Sequence, residues 1–317
     1  LSDINYLQRL TIQLATGVGK LPESFRQRHA SYLLAAQRDD GGFAGRMGDS
    51  DLYYTGFALR GLSILDRLQG EVASRAADFL RQRLHSRETI IDFLSLIYGG
   101  VLLENSAGID IFADAPTNWR ESVVATLNQL RRDDGGFAKS PEGSASSTYH
   151  TFLVLICFQL LQQQMPDPDL IVRFLKSRQA PDGGFHEIRV SKRAGTNPTA
   201  AAIASLAALD QIDSPTRETT IDFLCDMQTD EGGLRANDRI PIADILSTFT
   251  GMVTLIDLSA IHELDLLPLK VYCDSLQLES GGFHAAVWDD AHDVEYTFYG
   301  IGAHAILANL DTSKESE

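Results

Sequence analysis

Three cysteines in 317 residues, Cys157, Cys225 and Cys273, form no CxxC pair and leave no basis for a disulfide frame or a zinc ribbon. Each lies in an apolar helical stretch, as buried thiols do in a reducing compartment, so a cytoplasmic protein is expected. Positive charge is also scarce. The 27 Lys and Arg face 43 Asp and Glu, a formal net charge of −16, which argues against a nucleic-acid backbone as the main partner. The apolar run LVLICFQLL, residues 153–161, is too short to span a bilayer, so no membrane span is expected. The opening LSDINYLQRL lacks a basic segment followed by an apolar one, and no secretory leader is expected from it. P-loop, GxGxxG, HExxH and GxSxG strings are missing too, which removes the chemistries those strings serve. What remains is an ordinary globular composition, 44% apolar and 22% charged.

One turn, however, is written five times. QRDDGGFAGR stands at 37–46, RRDDGGFAKS at 131–140, RQAPDGGFHE at 178–187, MQTDEGGLRA at 227–236 and LQLESGGFHA at 276–285. The first glycines, Gly41, Gly135, Gly183, Gly232 and Gly281, are spaced by 94, 48, 49 and 49 residues. The first gap is nearly double, and the segment 71–110, with two apolar helical patterns and no double glycine, fills it as a sixth unit. A fixed period of this size signals stacked supersecondary units. Each unit reads as two helices. An amphipathic one precedes the turn, as in TRETTIDFLCDMQ (216–228), where Ile221, Leu224 and Cys225 share one face. A loop of 8 to 14 residues follows, then a helix apolar nearly all round, as in TAAAIASLAAL (199–209).

The turn itself has a structural explanation. Glycine tolerates the positive φ expected at a helix C-terminus, the preceding Asp or Glu can accept from turn amides, and the following Phe or Leu folds back between helices. Asp51, Ser147, Asn197, Asp244 and Asp293 stand just before the apolar helices and are expected to cap them. The expectation is an all-α fold of six helical hairpins with inner and outer helices alternating, preceded by an extra helix over 1–20. The units run from about 20 to 310 of a single domain covering 1–317.

Helical hairpins of about 48 residues punctuated by Q…DGGF resemble the α/α toroid of protein prenyltransferase β subunits and terpenoid (squalene-type) cyclases. In length the chain is most similar to the single-toroid β subunit of geranylgeranyl transferases. The resemblance implies inner helices around an aromatic funnel, an isoprenoid diphosphate or other polyisoprenoid as ligand, and a helical-repeat α-type subunit as partner. It also implies a zinc site, whose ligands fall on Asp244, Leu246 and Tyr296, so only one of three is kept, and a lone carboxylate does not hold zinc. A protein without the family's zinc is therefore expected, with Mg²⁺ left open. The family grips diphosphate with a His, an Arg and a Lys. Its His falls near Pro198 or Thr199 and is absent, while the two loops concerned carry Arg189, Lys192, Arg193, Arg235 and Arg239, suited to a diphosphate or simply solvated.

Class II cyclases of the superfamily protonate an alkene with the middle Asp of DxDD. Asp293-Val294-Glu295-Tyr296 resembles that string, with Glu295 at the acid position. Asp244, Asp293, Glu295 and Tyr296 are accordingly the candidate catalytic residues. Tyr53, Tyr149 and Phe249, with Tyr54, Phe57, Phe152, Phe298 and Tyr299, are candidates for a wall that encloses a prenyl chain and stabilises an allylic cation; helix packing is the plain alternative. Asp244, Asp293 and Glu295 would also serve a glycosidase of six-hairpin type, a reading the double-glycine turns disfavour. His150, in STYHTF, is expected to be a hydrogen-bonded core residue. Three readings stay open: a prenyltransferase-like enzyme, a class II-type cyclase, and a non-catalytic toroid binding a lipid or a helical partner.

Overall fold

The repeat period becomes a succession of helix pairs. A computed structural model describes residues 4–84 and 89–311. Residues 1–3 and 312–317 of the expected domain, and 85–88 of its second unit, lie outside the described residues. α1 (Tyr6–Val18) precedes six pairs: α2 (Glu23–Ala35) and α3 (Leu52–Ile64), α4 (Gly70–Arg83) and α5 (Ile90–Ala107), α6 (Trp119–Asn128) and α7 (Thr148–Leu160), α8 (Pro168–Lys176) and α9 (Thr196–Ala208), α10 (Ser214–Asp226) and α11 (Ile245–Asp257), α12 (Leu266–Ser275) and α13 (Val294–Asp311). Short antiparallel ladders β1–β2 (Phe137–Ala138, Ser146–Ser147) and β3–β4 (His284–Ala286, Asp289–His292) lie in loops between paired helices.

The glycines do different work from the expected helix cap. The helices before the turns end on right-handed residues such as Ser177 and Met227. The glycine lies several residues later, in a tight turn closed by a bridge such as Gln179 to Phe185. Gly183 has φ +90°, and its N–H donates to the Ala180 carbonyl at 3.0 Å. A Cβ on it would stand 2.0 Å from the carbonyl oxygen of Thr219 on α10, and one on Gly184 would strike the Phe223 ring. The first glycine therefore permits both the turn and the close approach of the next outer helix. The acidic residues act as expected: Asp40, Asp134 and Asp182 each accept from the amide two residues on. Phe43, Phe137, Phe185, Leu234 and Phe283 are all fully buried.

A threonine recurs with the same period. The Phe43, Phe137, Phe185 and Leu234 amides donate to the Thr55, Thr151, Thr199 and Thr248 hydroxyls at 2.9 to 3.0 Å. Thr151, Thr199 and Thr248 in turn donate to the carbonyl four residues back. Each turn is thus tied to the first turn of its own inner helix. Gln37, Gln179 and Gln228 tie the turns to the next outer helix, as where Gln37 Nε2 donates to Gly41 and Val72 carbonyls at 3.0 Å.

Asp51, Ser147 and Asp244 cap their helices as expected, each accepting the backbone N–H three residues on. Asn197 does not. Gly195 occupies the cap of α9, and Asn197 lies inside the helix, where its Oδ1 accepts from Thr250 of α11 at 2.7 Å. The short polar side chain found a partner across the helix pair instead of along its own backbone.

Contacts divide the chain into two compact units, Leu1–Pro116 with Cys273–Glu317, and Thr117–Tyr272. In the first, α13 packs on α1, α2 and α3, and α3 on α5, so the last hairpin meets the first. α1 approaches α13 so closely that a Cβ on Gly17 would lie 2.0 Å from the Ala305 carbonyl oxygen. The Tyr98 hydroxyl, from α5, lies against Thr11 and donates to the Leu7 carbonyl at 3.2 Å. α5, at 18 residues, is long and apolar enough to cross a membrane by composition alone. It packs on α3 and α4, and burial there accounts for its apolar character. In the second unit α9 lies between α7 and α11, with α8 against α9 and α10 against α11.

Candidate functional site

The first unit gathers eight of the sequence's candidates, Tyr53, Tyr54, Phe57, Asp293, Glu295, Tyr296, Phe298 and Tyr299, at two neighbouring inner helices. α3 begins at Asp51, whose Oδ1 accepts from the Tyr54 amide at 2.7 Å. From that cap, Tyr53, Phe57 and Arg60 follow at i, i+4 and i+7, one stripe of the helix. α13 begins at Asp293, whose side chain is wholly buried. Its Oδ1 accepts from the Glu295 and Tyr296 amides, both at 3.0 Å, and Oδ2 accepts from Arg46 Nε at 3.2 Å. Arg46 Nη2 also donates to the Tyr296 hydroxyl at 2.7 Å, with the guanidinium 5.2 Å from that ring's centroid. The loop after the first glycine turn therefore locks the start of α13.

Glu295 projects from that locked turn to α3. Its Oε1 accepts from the Tyr53 hydroxyl at 2.7 Å and from Tyr299 at 3.3 Å. Burial pushes the Glu295 carboxyl above the usual range, against the Tyr53 hydrogen bond, and the Asp293 charge adds to the rise. The aromatic rings interlock beside it. Phe57 stands 5.1 Å from Tyr53, 5.9 Å from Phe298 and 5.3 Å from Tyr299, centroid to centroid. These spacings are those of edge-to-face packing, and two of the rings, Tyr53 and Tyr299, present their hydroxyls to the Glu295 carboxyl.

A carboxyl with a raised folded value contributes stability that is full below the ordinary carboxylate range and is lost as pH rises through its folded value. Glu295→Gln removes that loss. Its melting temperature relative to the parent should therefore climb as pH rises above the ordinary carboxylate range, followed by thermal denaturation in matched buffers. A pH-independent difference would show that Glu295 does not titrate inside this wall.

The remaining candidates belong to the second unit. Asp244 caps α11, its two oxygens accepting the Ser247 amide at 2.7 Å and the Ser247 hydroxyl at 2.8 Å. Burial raises its carboxyl, against the Ser247 hydrogen bonds. The cationic loops of the fourth and fifth units adjoin: Thr196 donates through N to Ala236 O at 2.9 Å and through Oγ1 to Arg235 O at 2.6 Å. Their charges are not equally available. Arg193 pairs with Asp238 at 2.5 Å, and Arg235 Nη2 donates to the Asp226 carbonyl at 3.0 Å, closing the end of α10. Arg189, Lys192 and Arg239 are exposed, with no ion pair among the described residues. Tyr149 is exposed and Phe249 buried. His150 hydrogen-bonds through Nδ1 to Ser147 Oγ at 2.8 Å, and Ser147 Oγ donates to Glu187.

Two cations at the first site escaped the sequence reading. Arg46 is separated from Asp293 by most of the chain, and no spacing links them. Arg60 had a signal: it is the only charge in α3, on the stripe of Tyr53 and Phe57.

The prenyltransferase alpha-alpha toroid domain model matches residues 12–92 and 200–317. The chain belongs to this family. Its fold class is accordingly the all-α toroid of helical hairpins. The β subunit of protein farnesyltransferase from Schizosaccharomyces pombe is 26% identical over 207 residues, 60% of this chain and 53% of that protein. The toroid chain thus spans about half the length of that relative. Among solved structures, protein geranylgeranyltransferase-I from Candida albicans, complexed with GGPP, superposes with TM-score 0.72 at 15% identity, over 88% of this chain and 90% of that one. A type II terpene cyclase from Scytonema, in complex with geranylgeranyl dihydroxybenzoate, gives 0.60 at 14% identity, over 96% and 98%. At such identities the structures speak for the fold alone.

Of the positions on which the resemblance places the family's zinc ligands, Leu246 offers no donor atom, and both oxygens of Asp244 accept from Ser247. Among the described residues no group of three or more His, Cys, Asp or Glu is arranged to hold a metal ion.

Proposed function

We propose that this toroid binds an isoprenoid, with the hydrocarbon lying against the α3–α13 aromatic wall. The observation that carries the reading is the interlocked ring set of Tyr53, Phe57, Phe298 and Tyr299, two of which, Tyr53 and Tyr299, hydrogen-bond the half-buried Glu295 carboxyl. Rings in that arrangement present apolar area to a prenyl chain and π-faces to an allylic cation, worth about 0.5–2 kcal/mol per ring. The neighbouring structures support the ligand class, since one is complexed with GGPP and another with geranylgeranyl dihydroxybenzoate. Prenyl transfer, if this chain performs it, proceeds without zinc on the family's ligand set. An α-type helical-repeat subunit is the partner this reading anticipates, since the relative from Schizosaccharomyces pombe is named as a β subunit.

A class II-type cyclase with Glu295 as acid is the second reading, favoured by the fixed Asp293 and by the rise of the Glu295 carboxyl. It ranks second because a raised value makes a weaker acid, and an alkene needs a strong one. Calorimetric titration with farnesyl and geranylgeranyl diphosphate, alone and with Mg²⁺ or Zn²⁺, tests the primary reading. Saturable binding that does not require zinc is expected. Absence of binding under all conditions, or binding only with stoichiometric zinc, would overturn it.

A further inference from the structure

Arg60 is charged, part-buried and unpaired on a helix that carries no other charge. Its guanidinium lies 4.8 Å from the Phe57 centroid and 5.3 Å from that of Tyr98. Tyr98 is itself held by α1, through Thr11 and the Leu7 carbonyl, so the lower ring cannot swing away. Its Nε is buried without a hydrogen-bond partner, and no carboxylate stands within ion-pair distance among the described residues. Ring faces attract a guanidinium electrostatically but accept little from its N–H groups, which lie in the guanidinium plane. Two stacked rings therefore fix the fork and leave its donors unused. Glu295 lies near enough to feel the Arg60 charge, which draws its carboxyl down against the larger rise from burial, but it makes no hydrogen bond or ion pair with the guanidinium.

A part-buried cation whose Nε has no acceptor is costly to maintain for packing alone, because that donor gives up its hydrogen bond to water without replacement. Arg83 shows the ordinary solution in the same unit. Its guanidinium also lies over a ring, that of Phe79, but Nη1 donates to the Phe79 carbonyl and Nη2 faces Asp40 at 3.9 Å. Arg60 has the stacking without the acceptor.

We infer that Arg60 is the anchor for the oxyanion head of the isoprenoid, a carboxylate, phosphate or diphosphate, whose chain lies along Phe57, Phe298 and Tyr299. A planar fork held edge-free suits bidentate contact with such a group. Head and tail recognition are then both built into the first unit, and the exposed cations of the fourth- and fifth-unit loops are not required for it. This assignment rests on the isoprenoid reading and adds the residue that selects the head group.

The test is calorimetry with farnesyl diphosphate and with farnesol on the parent, Arg60→Met, and the double variant Arg189→Ala with Lys192→Ala. The parent should prefer the diphosphate. Arg60→Met should lose about tenfold or more of diphosphate affinity while binding farnesol within about twofold of the parent. The loop double variant should keep the preference. Retention of the preference in Arg60→Met, or its loss in the loop variant alone, would overturn the assignment while leaving isoprenoid binding intact. Failure of the parent to bind either ligand would instead sink the isoprenoid reading itself. If Arg60→Met does not fold, Arg60→Gln, which preserves polar bulk without charge, is read by the same criteria.

Discussion

Gly183→Ala should lower stability by about 4 kcal/mol or more, enough to deplete the folded state. Two penalties coincide there. The φ of +90° lies beyond the left-handed region that non-glycine residues occupy. The added methyl would also stand 2.0 Å from the Thr219 carbonyl oxygen and 2.5 Å from its carbon, both backbone atoms of α10. Gly70 separates the two terms. It too has positive φ, at +61°, but a Cβ there meets nothing within 4 Å. Gly70→Ala should cost only about 1–2 kcal/mol, the price of the left-handed conformation. Urea denaturation of both variants checks the contrast. Equal losses would mean that helix approach is not what the repeated glycine secures.

Asp293→Ala should cost about 2–3 kcal/mol. The wholly buried carboxylate caps α13 through the Glu295 and Tyr296 amides and receives Arg46 from a loop some 247 residues away in sequence. Removing it leaves two amides and a guanidinium without their acceptor. Arg46 is 47% exposed and can turn to water, so most of the loss lies in the cap, and the ion pair itself adds little. Asp293→Asn keeps an acceptor for the amides and should recover more than half of the lost stability. Chemical denaturation of the pair decides: an Asn variant as unstable as Ala would assign the stability to the Arg46 charge pair instead. The alanine variant should also loosen Glu295, whose orientation starts from that cap.

Much of the architecture was legible because it is written periodically. Five glycine turns set the spacing, and the hairpin between Gly70 and Ala107 could be placed without one because its neighbours fixed the register. What the glycines do could not be read from one copy of the turn. The carbonyl of Thr219 faces Gly183 from the following helix, and only the fold brings it there. The recurring threonines, Thr55, Thr151, Thr199, Thr248 and Thr297, share the period and were open to the same reading. Asn197 misled because a cap-forming residue type near a helix start has two uses, and its partner Thr250 belongs to another helix. At the candidate site, Asp293, Glu295 and Tyr296 were legible as a DxDD-like string and Tyr53 as an aromatic at an inner-helix start. Arg46 was not, since its link to Asp293 is purely tertiary. Among the loop cations, Arg193 and Arg235 carry partners that no spacing announces, Asp238 and the Asp226 carbonyl.

The most direct measurement is photo-crosslinking with a farnesyl diphosphate analogue carrying a diazirine on the terminal isoprene, with the labelled residues located by mass spectrometry. Saturable labelling on α3 and α13, at or beside Phe57, Phe298 and Tyr299 and competed by unmodified farnesyl diphosphate, is the predicted result. Labelling that is not competed, or that falls on helices remote from this wall, would contradict the claim that these rings are the isoprenoid site.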